Sequence, residues 1–168
     1  SEQLITSTWA GNGTLAESSS GAAEGSNHYV FTYAHRDWWS AFELNFGNWG
    51  QDPPVDFSQY DDLRFMLRAP STAGMTVALR LEDADKLKGP EFILPTAPGY
   101  QQMVVPISAL LGSTGIDLSR ILKIRFLFSG IQNAEGTFAF DDMRLVEADS
   151  HAAPKPDAGD DLSVSTSN

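Results

Sequence analysis

The chain has 168 residues and a formal net charge of −11, from 11 basic and 22 acidic side chains. Its hydrophobic content of 42 % suffices for one domain with a core, whereas its acidic excess disfavours nucleic acid, anionic membrane surfaces and anionic polysaccharides, which require a basic surface. The absence of cysteine excludes disulfides and thiolate metal sites, and no apolar run approaches the roughly 20 residues that span a bilayer.

The first half of the chain predicts four β-strands. A short strand near residues 4–8 is followed by Gly- and Ser-rich loops, and alternating or β-rich segments then predict strands over residues 29–33, 38–46 and 60–69. The Asp52-Pro53-Pro54 segment breaks the chain between the last two. Almost no helix is expected here.

The second half predicts five more strands, over residues 75–82, 92–94, 100–105, 121–129 and 137–146. One helical turn is predicted at residues 106–111, where Gly112 ends it. Composition changes to Ala, Pro, Asp and Ser after Ala148. These features favour an all-β domain over residues 1–147, an antiparallel β-sandwich of about 8–10 strands in a jelly roll, and a linker or tail over residues 148–168.

Three tryptophans, Trp38, Trp39 and Trp49, lie within twelve residues. Because neighbouring strand residues point to opposite faces, we expect one of the first two in the core and the other outside, as a platform for a flat neutral ligand such as a sugar ring. Strand phase favours Trp39, which shares its face with Glu43, and the choice stays open. Trp49 precedes Pro53 in a loop, where it caps a groove or covers a core edge.

Polar side chains occupy the outward phases of three further strands. They are Arg80 and Glu82, Tyr100 and Gln102, and Lys123 and Arg125. If these strands are neighbours in one sheet, the six side chains form a polar floor with one aromatic, suited to binding hydroxyl groups. The alternative is a solvated face held by cross-strand ion pairs.

No catalytic motif stands out: there is no Gly-x-Ser-x-Gly, no His-Glu-x-x-His and no P-loop. Carboxylate pairs for glycoside hydrolysis can be drawn from Glu43, Glu82, Asp83 or Glu91. However, a chain with 22 acidic residues always supplies such pairs. We therefore expect a non-catalytic protein, with a small glycoside-cleaving domain as an alternative.

Four segments, residues 56–65, 99–108, 122–128 and 136–145, resemble in order the strand motifs of family 11 carbohydrate-binding modules. The resemblance covers about residues 25–147. Similar patterns occur in domains of the complex I intermediate-associated protein type and in other galactose-binding-like jelly rolls. The resemblance implies a non-catalytic jelly roll that binds β-glucan chains in a concave cleft, and Trp38 matches a family aromatic that contacts the ligand.

The same resemblance implies a structural calcium ion. Asp141, the first residue of the Asp141-Asp142 pair, matches a calcium ligand of the family. Because calcium takes six to eight oxygen ligands, carbonyls of residues 24–27 would have to contribute, and Glu24 and Glu2 are the further acidic candidates. The alternative is a pair of solvated edge carboxylates.

Residues 156–164 resemble the first strand of an Ig-like domain of the polycystic-kidney-disease type, a common spacer in secreted bacterial polysaccharide-degrading enzymes. We therefore expect a secreted bacterial, monomeric module that anchors a catalytic domain of the same parent chain to a neutral polysaccharide, most simply a β-glucan. The alternative is a structural or protein-interaction jelly roll without glycan affinity.

Overall fold

Ten β-strands form the part of the fold that the structure describes. The computed structural model describes residues 13–23, 28–34, 38–46, 53–70 and 72–147, and also the backbone of residues 5–9 and 12. The strands are β1 (Ile5–Trp9), β2 (Asn12–Ser18), β3 (His28–Ala34), β4 (Trp39–Asn45), β5 (Tyr60–Arg68), β6 (Thr76–Asp83), β7 (Phe92–Leu94), β8 (Tyr100–Pro106), β9 (Ile121–Ser129) and β10 (Glu135–Glu147). Within the described ranges the only helical segments are two 3-10 turns, Ile107–Leu110 and Leu118–Arg120, and no helix is long and apolar enough to cross a membrane.

The strands form two five-stranded antiparallel sheets. Sheet I has the order β1-β4-β9-β6-β7, and sheet II has the order β2-β3-β10-β5-β8. The predicted all-β antiparallel sandwich is therefore confirmed. Consecutive strands often lie in different sheets, so neighbours such as β6 and β9 are distant in the sequence.

Phenylalanine rings fill the space between the sheets. Phe42 of sheet I stacks on Phe126 of the neighbouring strand at 4.8 Å between ring centroids, and on Phe140 of sheet II at 5.4 Å. Phe31 stacks on Phe128 at 5.2 Å, again from one sheet to the other. These rings occupy every second position of their strands, so the intervening residues project outwards.

Two local features differ from the sequence prediction. Strand β2 lies in a segment that was expected to be loop, because its sequence Asn-Gly-Thr-Leu-Ala-Glu-Ser has a single β-branched residue, Thr14, and no aromatic residue. The turn predicted before Gly112 is a single 3-10 turn, and Gly112 has a φ of 53°, which glycine adopts without strain. The predicted tail over residues 148–168, with its spacer-like segment, lies outside the described residues.

Candidate functional site

The outward side chains of β4, β9 and β6 form the outer face of sheet I. Strand register aligns Glu43 with Arg125 and Arg125 with Arg80, so these three residues form one row across the strands. Asn45, Lys123 and Glu82 form the next row. Four of the six side chains predicted to form a polar floor, those of Arg80, Glu82, Lys123 and Arg125, therefore lie on one face, and Glu43 joins them there.

These charged side chains form a connected ionic network. Arg125 donates to Glu43 Oε1 through Nε and Nη2. Lys123 Nζ lies 3.4 Å from Glu43 Oε2 and 3.1 Å from Glu82 Oε1, and Arg125 Nη2 lies 3.9 Å from Glu82 Oε2. The two acids and two bases therefore hold one another in a fixed arrangement.

The network is shielded from water although it projects from the outer face. The Glu43 side chain is 0 % exposed, and those of Glu82, Lys123 and Arg125 are 7 %, 11 % and 17 % exposed. Removing ionic groups from water costs free energy that their mutual attraction often fails to recover. A buried ionic network therefore gives little support for a role in stability. Its fixed side chains are well suited to presenting preorganised hydrogen-bonding groups.

Arg80 adds an unfilled donor to the same face. Its Nη1 lies 3.4 Å from Glu91 Oε1, which is a long contact to a half-exposed carboxylate. Its Nε is buried and has no hydrogen-bond partner. A buried N–H without an acceptor is uncommon in folded proteins.

Both Trp38 and Trp39 are solvent-exposed, by 59 % and 43 %. The expectation that one of them lies in the core is therefore wrong. Trp39 is the first residue of β4 and has the predicted outward phase, opposite Ser129. Trp38 precedes the strand, where its carbonyl accepts a bond from the Gly130 N–H, so strand alternation does not apply to it. Trp49 lies outside the described residues.

Tyr100 and Gln102 do not belong to this face. They lie on β8, an edge strand of sheet II, so the predicted grouping of these two residues with Arg80 is wrong. The Tyr100 ring contacts the Arg68 guanidinium at 5.5 Å and the edge of His28 at 6.1 Å. Burial, with a smaller contribution from the Asp141 charge, raises the pKa of the Tyr100 hydroxyl, while Arg68 opposes the shift.

Asp141 lies beside the segment that follows β2. Its Oδ2 accepts a hydrogen bond from the Ala23 N–H at 2.9 Å, and its Oδ1 accepts one from the Asp142 N–H at 2.8 Å. Strand β10 has a bulge at this point, where Asp142 has a φ of 46°. A cavity of about 200 Å³ adjoins it, lined in part by Glu17 and by His28, whose buried Nδ1 has no hydrogen-bond partner. Within the described ranges, no three His, Cys, Asp or Glu side chains cluster as a metal site would require. Glu2 and Glu24 lie outside those ranges.

The other candidate carboxylates are already engaged. Asp83 accepts three backbone N–H bonds, from Asp85 and Leu87 on Oδ1 and from Asp117 on Oδ2, at 2.9–3.0 Å. It therefore holds two loops together. Glu43 and Glu82 are held in ion pairs with Lys123 and Arg125.

Three apolar side chains that were not predicted as site residues, those of Ala78, Leu127 and Ile93, also lie on this face. Register aligns Leu127 with Ala78 and Ala78 with Ile93, next to the row of Glu43, Arg125 and Arg80. Ile93 is 58 % exposed on the edge strand. Alternation indicated that Ala78 and Leu127 point outwards, but only the strand order brings the three side chains together.

Comparison with solved structures identifies similar folds. The family 11 carbohydrate-binding module of a cellulosomal cellulase of Clostridium thermocellum superposes with a TM-score of 0.62 at 14 % identity, covering 87 % of this chain and 89 % of its own. A family 30 carbohydrate-binding module of another cellulosomal cellulase of that organism gives 0.65 at 16 % identity, covering 87 % and 93 %. The family 11 module in complex with a β-1,3-1,4-mixed-linked tetrasaccharide gives 0.61 at 13 % identity, covering 85 % and 89 %.

At these identities the comparisons establish a shared β-sandwich fold. No protein-family model matches the sequence, and no curated protein matches it. The resemblance to family 11 modules noted in the sequence thus agrees with the fold of the similar structures.

Proposed function

We propose that this domain is a non-catalytic carbohydrate-binding module whose ligand is a neutral glycan, bound on the outer face of sheet I. The observation that carries the proposal is the exposed Trp39 on the same face as a shielded, preorganised ionic network. Sugar rings stack their C–H faces on aromatic side chains, and their hydroxyl groups bond to fixed polar groups. Trp38, Arg80, Glu82 and Arg125 are the further contact residues.

A β-glucan is the proposed ligand class. Support comes from the shared fold, because one similar structure is described as a complex with a mixed-linked tetrasaccharide. The net charge of −11 also favours an uncharged polysaccharide over an acidic one. The domain would act by anchoring: a catalytic domain in the same secreted bacterial chain stays close to its substrate while the module is bound.

The first experiment is affinity electrophoresis in parallel gels that contain laminarin, barley mixed-linkage glucan, xyloglucan, hydroxyethylcellulose, xylan or galactomannan. Retardation in one or two gels is expected, and Trp39→Ala should abolish it without changing the melting temperature. Tyr29→Ala is the matched control, because Tyr29 is an aromatic of sheet II that is 36 % exposed. Retardation that survives in both Trp38→Ala and Trp39→Ala would refute the aromatic platform. Absence of retardation in every gel would favour the protein-interaction alternative.

A structural calcium ion bound by Asp141 is part of the proposal. In its support, Asp141 is largely buried and accepts an N–H from Ala23, immediately before Glu24 in the chain. A single carboxylate is too few for calcium, so Glu24, Glu2 and loop carbonyls would supply the remaining oxygens. When bound, the ion would tie the N-terminal segment to β10.

The calcium proposal is tested by melting the protein with excess calcium and with chelator. A higher melting temperature in calcium is expected for the wild type and not for Asp141→Asn, because a ligand that binds only the folded state stabilises it. Asp142→Asn is the matched control, since that side chain pairs with Arg144 at 3.5 Å. Equal melting temperatures of the wild type in both conditions would refute the ion.

A further inference from the structure

A cavity of about 320 Å³ lies at one end of sheet II, where β5 begins and β8 ends. The two 3-10 turns complete its walls. Six of its lining residues are exposed or partly exposed: Tyr60, Asp61, Pro106, Ser108, Leu111 and Leu118. The cavity is therefore open to a ligand from solvent.

Three polar side chains of this cavity are available to a ligand. Within the described part of the chain, the Asp61 carboxylate forms no ion pair, and the hydroxyl groups of Tyr60 and Ser108 form no hydrogen bond. Asp62 also lines the cavity, but Arg64 Nη2 donates to its Oδ2 at 2.9 Å. The cavity thus offers one free carboxylate and two free hydroxyl groups.

These polar groups lie beside apolar side chains, among them Leu111 and Leu118, which pack against the core. A sugar ring has apolar C–H faces and hydroxyl-bearing edges, so it can contact both kinds of side chain at once. The volume is at the lower end of the range of about 300–1,000 Å³ that is typical of small-molecule sites. It therefore suits one or two sugar residues.

We propose that this cavity is a second glycan-binding site, independent of the outer face of sheet I, which takes one or two residues of a neutral sugar. Asp61 accepts hydrogen bonds from the sugar hydroxyl groups, and the hydroxyl groups of Tyr60 and Ser108 fix the orientation of the ring. Leu111 and Leu118 contact its C–H face.

The two sites lie at opposite ends of β9. Leu118 lies just before this strand, whereas Trp39 is aligned with Ser129 at its other end. Strand β9 has nine residues and spans about 26 Å at about 3.3 Å per residue. A disaccharide therefore cannot occupy both sites, whereas a polysaccharide can.

The second site adds avidity. An open cavity covers only part of a sugar, so we expect dissociation constants in the millimolar range, too weak to retard the protein in a gel without the sheet I site. Once the sheet I site holds a polysaccharide, binding in the cavity becomes intramolecular and lengthens the attachment.

The test records amide NMR spectra of the isotope-labelled chain during titration with cellobiose, laminaribiose, xylobiose and mannobiose. Ser108→Phe fills the cavity, and Asp61→Ala removes its free carboxylate. Ala109→Phe is the matched control for the first variant, because Ala109 is an exposed residue of the same 3-10 turn. Trp39→Ala removes the platform on sheet I, and melting curves verify that each variant folds.

At least one disaccharide should shift the amide signals of residues 60–62 and 107–111 in a saturable way, in the wild type and equally in Trp39→Ala. Ser108→Phe and Asp61→Ala should weaken this binding by about tenfold or more, which corresponds to the loss of one good contact. Ala109→Phe should not weaken it. If Ser108→Phe fails to fold, Asp61→Ala decides alone.

Absence of these shifts with all four disaccharides would refute the second site, while retardation in the gels would still support the site on sheet I. Shifts that are lost in Trp39→Ala, or that persist unchanged in Ser108→Phe and Asp61→Ala, would also overturn the proposal. Cavity shifts in a protein that no gel retards would refute the site on sheet I and leave the second site standing.

Discussion

Replacement of Glu43 by glutamine tests whether the ionic network on sheet I is truly desolvated. The change removes the charge that pairs with Arg125 and Lys123 while keeping the side-chain shape. Breaking a buried ion pair from one side costs about 3–5 kcal/mol. Glu82 remains 3.1 Å from Lys123 and 3.9 Å from Arg125, so it compensates in part. We therefore expect the lower end of that range, about 3 kcal/mol.

In a domain of this size, such a loss lowers the melting temperature by about 10 °C. Differential scanning calorimetry at neutral pH measures it directly. Glu91→Gln is the control, because Glu91 is 49 % exposed and pairs with Arg80 at 3.4 Å. An exposed pair contributes at most about 1 kcal/mol, so this variant should melt within a few degrees of the wild type. Equal melting of the two variants would refute the argument from burial.

Substitution of the whole ionic network distinguishes a role in stability from a role in glycan binding. Replacing all four of its members by apolar residues, Glu43→Leu, Glu82→Leu, Lys123→Met and Arg125→Met, removes the desolvation cost together with the ion pairs. Replacements of this kind are often neutral or stabilising by about 1–4 kcal/mol. We expect a folded variant at least as stable as the wild type that no longer binds glycan. Full retention of glycan binding would show that the ligand site lies elsewhere.

Two further predictions concern the loops that frame the sandwich. Asp83→Ala leaves three backbone N–H groups without an acceptor, and at about 1–3 kcal/mol for each unsatisfied group we expect a total loss of roughly 4 kcal/mol. An unchanged urea midpoint would contradict this. The pKa values of Asp56 and Asp117 are lowered from 3.8 by hydrogen bonds from a serine two residues further on. Their contribution to stability is therefore present above the unfolded pKa and is lost as pH falls through the folded pKa values. Unfolding midpoints of the wild type and of the Asp56→Asn/Asp117→Asn variant are measured from neutral pH down to about pH 2. The higher stability of the wild type should disappear as the pH falls through the folded pKa values of the two aspartates. A stability difference that stays constant with pH would contradict their lowered pKa values.

The sequence predicted most strands because their outward and inward residues alternate strictly. In β6, Val77, Leu79 and Leu81 lie in the core between the sheets, and this spacing produces the period-two pattern. Strand β2 was not predicted because all of its residues except Leu15 are small or polar, and it is held at the edge of sheet II by its ladder with β3. The pairing of β2 with β3 depends on tertiary structure, which the local β-propensity of the segment does not predict.

The sequence predicted which side chains of a single strand point outwards, but it did not predict which strands are neighbours. Alternation indicated correctly that Glu43, Arg80 and Arg125 point outwards, and register then brings them together. The same reasoning failed for Tyr100, since alternation cannot tell which sheet a strand joins. It failed for Trp38 because that residue precedes the strand, so the alternation starts one residue later than predicted.

The charge of the proposed site differs from the charge of the whole chain. The outer face of sheet I combines three cations, Arg80, Lys123 and Arg125, with three carboxylates, Glu43, Glu82 and Glu91, each in an ion pair. The described part of this face is therefore balanced, while the chain as a whole carries −11. A neutral ligand can use the donors and acceptors of such a face without bringing a counter-charge. An acidic polysaccharide would find no net attraction at the face and repulsion from the rest of the surface. The balanced charge of the outer face and the negative net charge of the chain thus both favour a neutral glycan, for different reasons.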